Sequence, residues 1–180
     1  MSEYTIGLAE PDEVEGLPDL ERRAASLFSP EDLAPELVSD VTPRSVYEQA
    51  QRDASLIVAR DRDGRVVGFA HLIWVGGIVH LEEVDVEPEF GRRGIGRLLV
   101  EAACEWARAR ESDRITLSTF REVAWNAPFY ARLGFSRIPE IDLSVELRRI
   151  REREGREGLD PNRRIMMCRT LLDPSPGSGA

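Results

Sequence analysis

The segment HLEEVDVEPEFGRRGIGRLLVEAACEWARA, from His80 to Ala109, decides the fold of this chain. Residues 80–87 alternate with period two, which predicts a β-strand that Pro88 ends. From Ile95 onwards, apolar residues recur at the three-and-four spacing of a helix that buries one stripe. The segment therefore predicts a strand, a glycine turn and a helix that starts inside the turn. By the alternation, one face of the strand carries Leu81, Glu83 and Asp85, and the other carries His80, Glu82, Val84 and Val86.

The glycine turn, Gly91-Arg92-Arg93-Gly94-Ile95-Gly96, has the features of a phosphate-binding loop. The first turn of a helix carries unpaired N–H groups and the positive end of the helix dipole. The glycines let a ligand approach the backbone, and the arginines together with Arg97 add positive charge. A triphosphate loop needs lysine at Arg97 and a hydroxyl at Leu98, and the dinucleotide fingerprint needs glycine at Leu99. The turn thus predicts a pyrophosphate site, with a plain glycine-rich turn as the alternative.

A second segment follows the predicted helix: Trp125-Asn126-Ala127-Pro128-Phe129-Tyr130-Ala131-Arg132-Leu133-Gly134-Phe135. Together the two segments resemble the GNAT superfamily of acyl-coenzyme-A-dependent N-acetyltransferases. In that family a strand ending in Val-x-Val-x-Pro feeds a Gln/Arg-x-x-Gly-x-Gly/Ala loop, and Asn-x-x-x-(Phe/Tyr) later leads into Leu-Gly-Phe. Both motifs occur here in the family's order and separation, and the resemblance runs from about Tyr4 to Arg169. Gly91 departs from the pattern, so we expect rearranged pyrophosphate contacts and not lost binding.

The resemblance implies one N-acetyltransferase domain over residues 1–172 with the α/β GNAT fold. That fold is a mixed, largely antiparallel twisted sheet with helices on both faces and splayed central strands. The family uses acetyl-CoA as co-substrate, without a metal, and the backbone of Val84 and Val86 would hold the pantetheine arm in the strand gap. The residues expected to hold acetyl-CoA are Val84, Asp85, Val86, Gly91, Arg92, Arg93, Gly94, Ile95, Gly96, Arg97, Asn126, Phe129 and Tyr130.

The implied reaction is attack of a small-molecule primary amine on the thioester within a ternary complex, which needs a proton acceptor. Glu82 is the expected base, because family members commonly place a catalytic Glu or His on this strand and burial would raise the pKa of its carboxyl. An ion pair or a carboxylate that only binds the acceptor is the alternative role for Glu82. His80 is expected to relay the proton or act alone, unless it only packs. Glu83 is expected on the opposite face as a structural or solvated charge.

Tyr130 is the expected acid, because the resemblance implies that its hydroxyl protonates the departing thiolate. Asn126, an N-cap type residue, is expected to contact the pantetheine or thioester. The alternative is that Asn126 only caps the helix and Tyr130 only packs. Phe28, Leu33 and Tyr47 are candidates for acceptor contact, although packing is the favoured interpretation because periodic apolar residues usually form core.

The rest of the chain predicts further elements by its periodicity and turn residues. An inserted amphipathic helix at about 141–157 is expected to flank the acceptor pocket or form a homodimer contact, or simply to close the end of the sheet. The predicted elements are a strand at 4–8, a helix at 11–28, a short helical or irregular connection at 29–42, a helical stretch at 43–52, strands at 55–60 and 66–75 joined by Asp61-Arg62-Asp63-Gly64, a turn at Gly76-Gly77, a strand at 114–119, a last strand at 164–171 and a disordered tail at 173–180.

Composition narrows the classes of function. The chain has 180 residues, of which 42% are apolar and 32% charged, as expected for one soluble globular domain. It has no apolar run long enough for a bilayer and no signal-peptide pattern, so we expect a cytoplasmic protein. The net charge of −9 argues against a nucleic-acid partner and favours cationic small molecules. Cys104 and Cys168 lack metal spacing and are expected to pack.

Three rival functions remain open at this stage. The first is acetylation of a protein N-terminus or lysine. The second is a regulatory domain that binds coenzyme A without turnover, and the third is nucleotide-phosphate binding through the glycine turn, in which ATP or NAD would displace acetyl-CoA.

Overall fold

The computed structural model describes residues 3–171 and contains one seven-stranded sheet. Its strands are β1 (Thr5–Leu8), β2 (Leu56–Arg60), β3 (Val66–Val75), β4 (Ile78–Val86), β5 (Arg114–Phe120), β6 (Ser136–Arg137) and β7 (Arg164–Thr170). They lie side by side in the order β1-β2-β3-β4-β5-β7-β6. Only the β4–β5 pair is parallel, and the other five neighbouring pairs are antiparallel. This confirms the mixed, largely antiparallel sheet.

Helices cover both faces of the sheet. They are α1 (Leu17–Ala25), α2 (Pro35–Val38), α3 (Arg44–Arg52), α4 (Ile95–Arg108), α5 (Ala127–Arg132) and α6 (Val145–Arg156), with 3₁₀ turns at Pro11–Gly16, Pro88–Phe90 and Glu140–Asp142. We call the side on which α4 and α5 pack the α4 face, and the side on which α1, α3 and α6 pack the α1 face. Buried apolar residues fill both interfaces, because each helix presents one apolar stripe to the sheet.

The helical regions differ from expectation mainly at their boundaries. The predicted helix at 11–28 divides into a 3₁₀ turn and α1, because Pro18 lies in the first turn of α1, where a residue without an N–H is tolerated. The inserted helix begins at Val145, where Ser144 accepts a hydrogen bond from the N–H of Leu147. The two-residue strand β6 was not predicted, since it is too short to show a period. The tail predicted at 173–180 lies outside the described residues.

The central strands separate as expected. β4 and β5 pair only where Val79–Leu81 face Ile115–Leu117. Beyond that point β4 continues beside β3 and β5 continues beside β7, so the strands diverge from each other. The residues of β4 from 82 to 86 therefore have one edge without a strand partner.

A β-bulge at Glu82 corrects the predicted alternation of β4. On β3, Leu72 pairs with Leu81 while the preceding residue, His71, pairs with Glu83, so Glu82 is one extra residue. Val84 and Val86 therefore pack on the α4 face with Leu81. Both predicted faces were wrong beyond the bulge, because Glu83 and Asp85 turn to the α1 face, where His80 and Glu82 also lie. The extra residue changes the side-chain direction without ending the strand.

None of the helices within residues 3–171 has the length and apolar character to cross a membrane.

Candidate active site

A cavity of about 720 Å³ opens where β4 and β5 separate. It reaches α4 and α5 on one face of the sheet and the end of α1 on the other, so it passes through the gap between the strands. Its walls are formed by Ala24, Leu27, Phe28, Val84, Asp85, Val86, Pro88, Phe90, Gly91, Arg92, Gly94, Ile95, Gly96, Arg97, Ala124, Trp125, Asn126, Phe129, Tyr130 and Arg132.

One end of the cavity is the N-terminus of α4, built from the glycine turn. Gly94 has a φ of 83°, which favours glycine, and its carbonyl accepts the first helical hydrogen bond from the N–H of Leu98. The preceding N–H groups, those of residues 95–97, have no partner within the helix and belong to residues that line the cavity. Arg97 lines the same end. This end can hold an anion through backbone N–H groups and positive charge.

Gly96 has no side chain to project from this part of the cavity wall. A Cβ added to Gly96 would lie 3.6 Å from the ring of Phe129 and 3.9 Å from Val86. Those are ordinary van der Waals distances, so the protein itself tolerates a methyl group there. The glycine is instead suited to close approach of a ligand to the backbone.

Arg93 was expected to hold the cofactor, but its side chain does not line the cavity. It donates a hydrogen bond of 3.1 Å to the carbonyl of Glu89, and its guanidinium lies 5.1 Å from the ring centroid of Phe90. A cation over an aromatic face is attracted by the ring. Phe90, which the sequence reasoning missed, lines the cavity instead, whereas Arg92 and Arg97 lie where they were expected.

Asn126 occupies the N-cap position of α5, but its side chain makes no cap hydrogen bond. Its Oδ1 accepts a hydrogen bond of 2.7 Å from the hydroxyl of Thr119. Among residues 3–171 the side-chain N–H groups of Asn126 have no such partner, so they are available to a carbonyl in the cavity. Thr119 was not identified from the sequence, because nothing local links it to Asn126.

Tyr130 lines the cavity from α5. Its ring packs edge-on against Phe129 and Phe135, with centroids 5.1 and 5.7 Å away. Burial raises the pKa of the Tyr130 hydroxyl, and the negative charge of Asp85 adds to the shift. The phenol therefore holds its proton at neutral pH and can serve as a donor.

His80 and Glu82 were expected to remove the amine proton, but neither lines the cavity. His80 is 1% exposed, its Nδ1 lies 2.9 Å from the hydroxyl of Thr116, and burial lowers its pKa to about 3. Glu82 forms an ion pair with Arg153 of α6, and its Oε2 lies 3.9 Å from Nε2 of His80. Burial raises the pKa of the Glu82 carboxyl, and Arg153 opposes the rise. Both groups therefore lie beneath α6, which packs beside the cavity without lining it.

A partly buried cluster of acids lies on the α1 face, where Glu83 was not expected. Tyr47, fully buried, places its hydroxyl 2.7 Å from Oε2 of Glu21 and 2.8 Å from Oε2 of Glu83. One hydroxyl proton serves only one of these contacts, so the other needs a proton on a carboxyl. Glu21 also accepts hydrogen bonds from the N–H of Thr42. We place the extra proton on Glu83, because burial raises the pKa of its carboxyl well above the ordinary value.

Asp85 connects this cluster to the cavity, because it lines the cavity wall beside Glu83. Burial raises the pKa of Asp85 to about 7, the charge of Glu21 adds to the rise, and the contact with Glu83 opposes it. His71, whose ring lies 6.1 Å from that of Tyr47, has its pKa lowered to about 4 by burial and is neutral. Among the ion pairs of residues 3–171, none involves Glu21, Glu83 or Asp85.

Aromatic side chains form the wall near the end of α1. The ring of Phe28 lies 5.2 Å from that of Phe120 and 5.8 Å from that of Trp125. Phe28, one of the three candidates for acceptor contact, lines the cavity. Tyr47 does not line it but supports Glu83 from behind, and Leu33 does not line it either. Trp125, which lies next to the expected Asn126, was missed.

Comparison with known proteins identifies the family. Residues 22–135 match the model of the Acetyltransferase (GNAT) family, so the chain belongs to that family. It is 34% identical to mycothiol acetyltransferase from Clavibacter michiganensis subsp. michiganensis over 46% of this chain and 27% of that protein. It is 33% identical to glucosamine 6-phosphate N-acetyltransferase from Trypanosoma brucei brucei over 47% of this chain and 59% of that protein. The chain therefore spans less than two thirds of these curated relatives.

The fold also matches a solved structure. The PaiA N-acetyltransferase from Thermoplasma acidophilum, determined in complex with coenzyme A, superposes with a TM-score of 0.69 and 16% identity. The match covers 94% of this chain and 99% of that one, so the two chains share a similar fold over nearly their whole length.

Proposed function

We propose that this protein transfers the acetyl group of acetyl-CoA to the primary amine of a small molecule by direct attack in a ternary complex. One observation carries the proposal: a single cavity joins the free N–H groups of α4, the unpaired edge of β4 and a carboxyl whose pKa lies near 7. Acetyl-CoA supplies an activated thioester, and the chain supplies binding, orientation and proton transfer.

The binding residues divide along the cavity. The N–H groups of residues 95–97 with Arg92 and Arg97 would hold the pyrophosphate. The open edge at Val84 and Val86 would pair with the amide groups of the pantetheine arm, as an added strand does. The free side-chain N–H groups of Asn126 would orient a carbonyl close to Tyr130.

We place the proton acceptor at Asp85. An alkyl ammonium must lose a proton before its nitrogen can attack, and a base with a pKa near 7 is suited to this at neutral pH. Before the C–N bond forms, one proton moves from the ammonium nitrogen to a carboxylate oxygen of Asp85, while Glu83 keeps its own proton. The nitrogen loses its second proton when the C–S bond breaks, and that proton replaces the one that Tyr130 gives to the thiolate. Glu82 and His80 as the base stay predictions, which their position outside the cavity does not favour.

The acid role of Tyr130 also stays a prediction, and its position in the cavity wall supports it. When the C–S bond breaks, the hydroxyl of Tyr130 would give its proton to the departing thiolate. A phenol has an ordinary pKa of about 10 and a thiol of about 8.5, so the transfer is feasible even though burial raises the former.

The test is thiol release from acetyl-CoA with a panel of small amines and a short peptide, measured for the wild type, Asp85→Asn and Glu82→Gln. We expect release with a small amine, a loss of about 100-fold in kcat for Asp85→Asn, and a change under about threefold for Glu82→Gln. Release with the peptide alone would favour a protein acetyltransferase. If acetyl-CoA bound by calorimetry but no amine released thiol, the proposal would be wrong and a non-catalytic domain would be favoured.

A further inference from the structure

The charged side chains of the cavity are unevenly distributed. Arg92 and Arg97 lie at the α4 end, and Arg132 belongs to α5. Asp85 is the single acidic residue in the cavity wall of the described chain. Next to Asp85 on the α1 face lies the cluster of Glu21, Tyr47 and Glu83, whose carboxyls form no ion pair with a basic residue of the described chain. The cavity therefore offers one place for a cationic group, and that place lies on the α1 face.

The remaining wall on that face is apolar. Leu27 and Trp125 are each 52% exposed although they border the cavity, and Phe28 bridges Trp125 and Phe120 in a row of three rings. Water contacts a large apolar area here, and an apolar ligand would release that water. Leu27, Phe28 and Trp125 line the same cavity as Asp85, so one ligand can contact both the apolar wall and the carboxyl.

We infer that the acceptor is a monoamine whose single ammonium meets Asp85 and whose body is apolar or aromatic and packs on Leu27, Phe28 and Trp125. The inference rests on the proposed function and names the acceptor class. A polyamine or an aminoglycoside carries several ammonium groups, and the wall has one carboxyl to receive them. A peptide would bring amide groups against apolar rings, where their hydrogen bonds with water would be lost without replacement.

The first test compares four acceptors at saturating acetyl-CoA by thiol release. They are 2-phenylethylamine, n-butylamine, 1,4-diaminobutane and kanamycin. Comparing phenylethylamine with butylamine isolates the effect of the ring, and comparing butylamine with diaminobutane isolates the effect of the added charge. We expect kcat/KM to fall about tenfold from phenylethylamine to butylamine, and at least tenfold again from butylamine to the diamine. The kcat/KM for kanamycin should be lower than that for either monoamine.

Variants locate the selectivity in the wall. Trp125→Ala and Phe28→Ala should raise KM for phenylethylamine about tenfold while the Kd of acetyl-CoA stays within twofold. Trp74→Ala is the matched control, because Trp74 is also half-exposed but packs on Trp106 away from the cavity, and it should match the wild type. Trp125 is a surface residue, so its variant remains informative if Phe28→Ala unfolds.

Three results would overturn the inference. A higher kcat/KM for the diamine or kanamycin than for both monoamines would do so while leaving the proposed acetyltransferase activity intact. Equal losses for every amine in Trp125→Ala would also do so, because the ring would then have no role in selection. If none of the four amines nor the peptide causes thiol release while acetyl-CoA still binds, both the proposed function and this inference would be wrong.

Discussion

The hydroxyl of Tyr47, a fully buried residue, lies 2.8 Å from a carboxyl oxygen of the partly buried Glu83. Because Glu21 lies at 2.7 Å on the same hydroxyl, the contact assigns a proton to Glu83. In Tyr47→Phe, that proton would turn towards Asp85 and stabilise its charged form. We expect the acid limb of the pH profile of kcat/KM to move down by about half a pH unit to one unit.

The same substitution should lower the free energy of unfolding by about 1–3 kcal/mol, since the buried hydrogen bond between Tyr47 and Glu21 is lost. Urea unfolding gives the stability, and thiol release across pH gives the profile. An acid limb that stayed fixed or moved up would contradict the placement of the proton on Glu83.

Asp85→Asn should change how stability depends on pH. Burial raises the pKa of Asp85 from 3.8 to about 7, so between these values the folded protein holds a proton that the unfolded chain releases. The wild type therefore loses stability as pH rises through this window, and the Asn variant does not. The variant should gain about 2–4 kcal/mol over the wild type between pH 4 and pH 8. Urea unfolding at several pH values measures the difference, and a gain that shrank with rising pH would refute the raised pKa.

Gly96→Ala should separate binding from folding. The added methyl meets the ring of Phe129 at an ordinary 3.6 Å, and alanine favours a helix by up to about 1 kcal/mol over glycine. We therefore expect the melting temperature to hold or rise slightly. The Kd of acetyl-CoA, measured by calorimetry, should rise at least about tenfold because the methyl stands on the wall of the phosphate end. A lower melting temperature with unchanged affinity would show that Gly96 serves the fold.

Two neighbouring arginines should differ in their effect on acetyl-CoA. Arg97 lines the cavity, so Arg97→Ala should raise the Kd about tenfold and weaken its dependence on salt. Arg93 packs over Phe90, so Arg93→Ala should change the Kd less than about twofold. Calorimetry at two salt concentrations makes the comparison, and a larger loss in Arg93→Ala would show that this side chain turns into the cavity when acetyl-CoA binds.

Tyr130→Phe keeps the ring that packs on Phe129 and Phe135 and removes only the hydroxyl. If the hydroxyl protonates the thiolate, kcat should fall about 10- to 100-fold with the Kd of acetyl-CoA nearly unchanged. Phe129→Leu, which alters packing without removing a proton donor, is the control and should affect kcat less. Full turnover in Tyr130→Phe would remove this residue from the mechanism.

Much of the frame could be predicted from local patterns. The strand, glycine turn and start of α4 follow from period two, from the left-handed φ of Gly94 and from the spacing of apolar residues. The β2–β3 hairpin and the end of α5 follow in the same way from Gly64 and Gly134. These features depend on interactions between close neighbours in the chain, which the sequence displays directly.

The chemistry of the α1 face depended on distant partners. The bulge at Glu82 depends on how β4 pairs with β3. It places Glu83 and Asp85 on the α1 face, whereas uninterrupted alternation would place them on the opposite face. Arg153 reaches Glu82 from 71 residues away, and Tyr47 reaches Glu83 across 36.

The sequence by itself thus determined the α/β elements and the glycine turn at the α4 end of the cavity, since both follow from local backbone preference. Only the tertiary structure decided which carboxyl borders the cavity and which is held in an ion pair. A shift of one residue in strand register reverses every side chain beyond it, and a pKa depends on burial and charges that chain folding brings together.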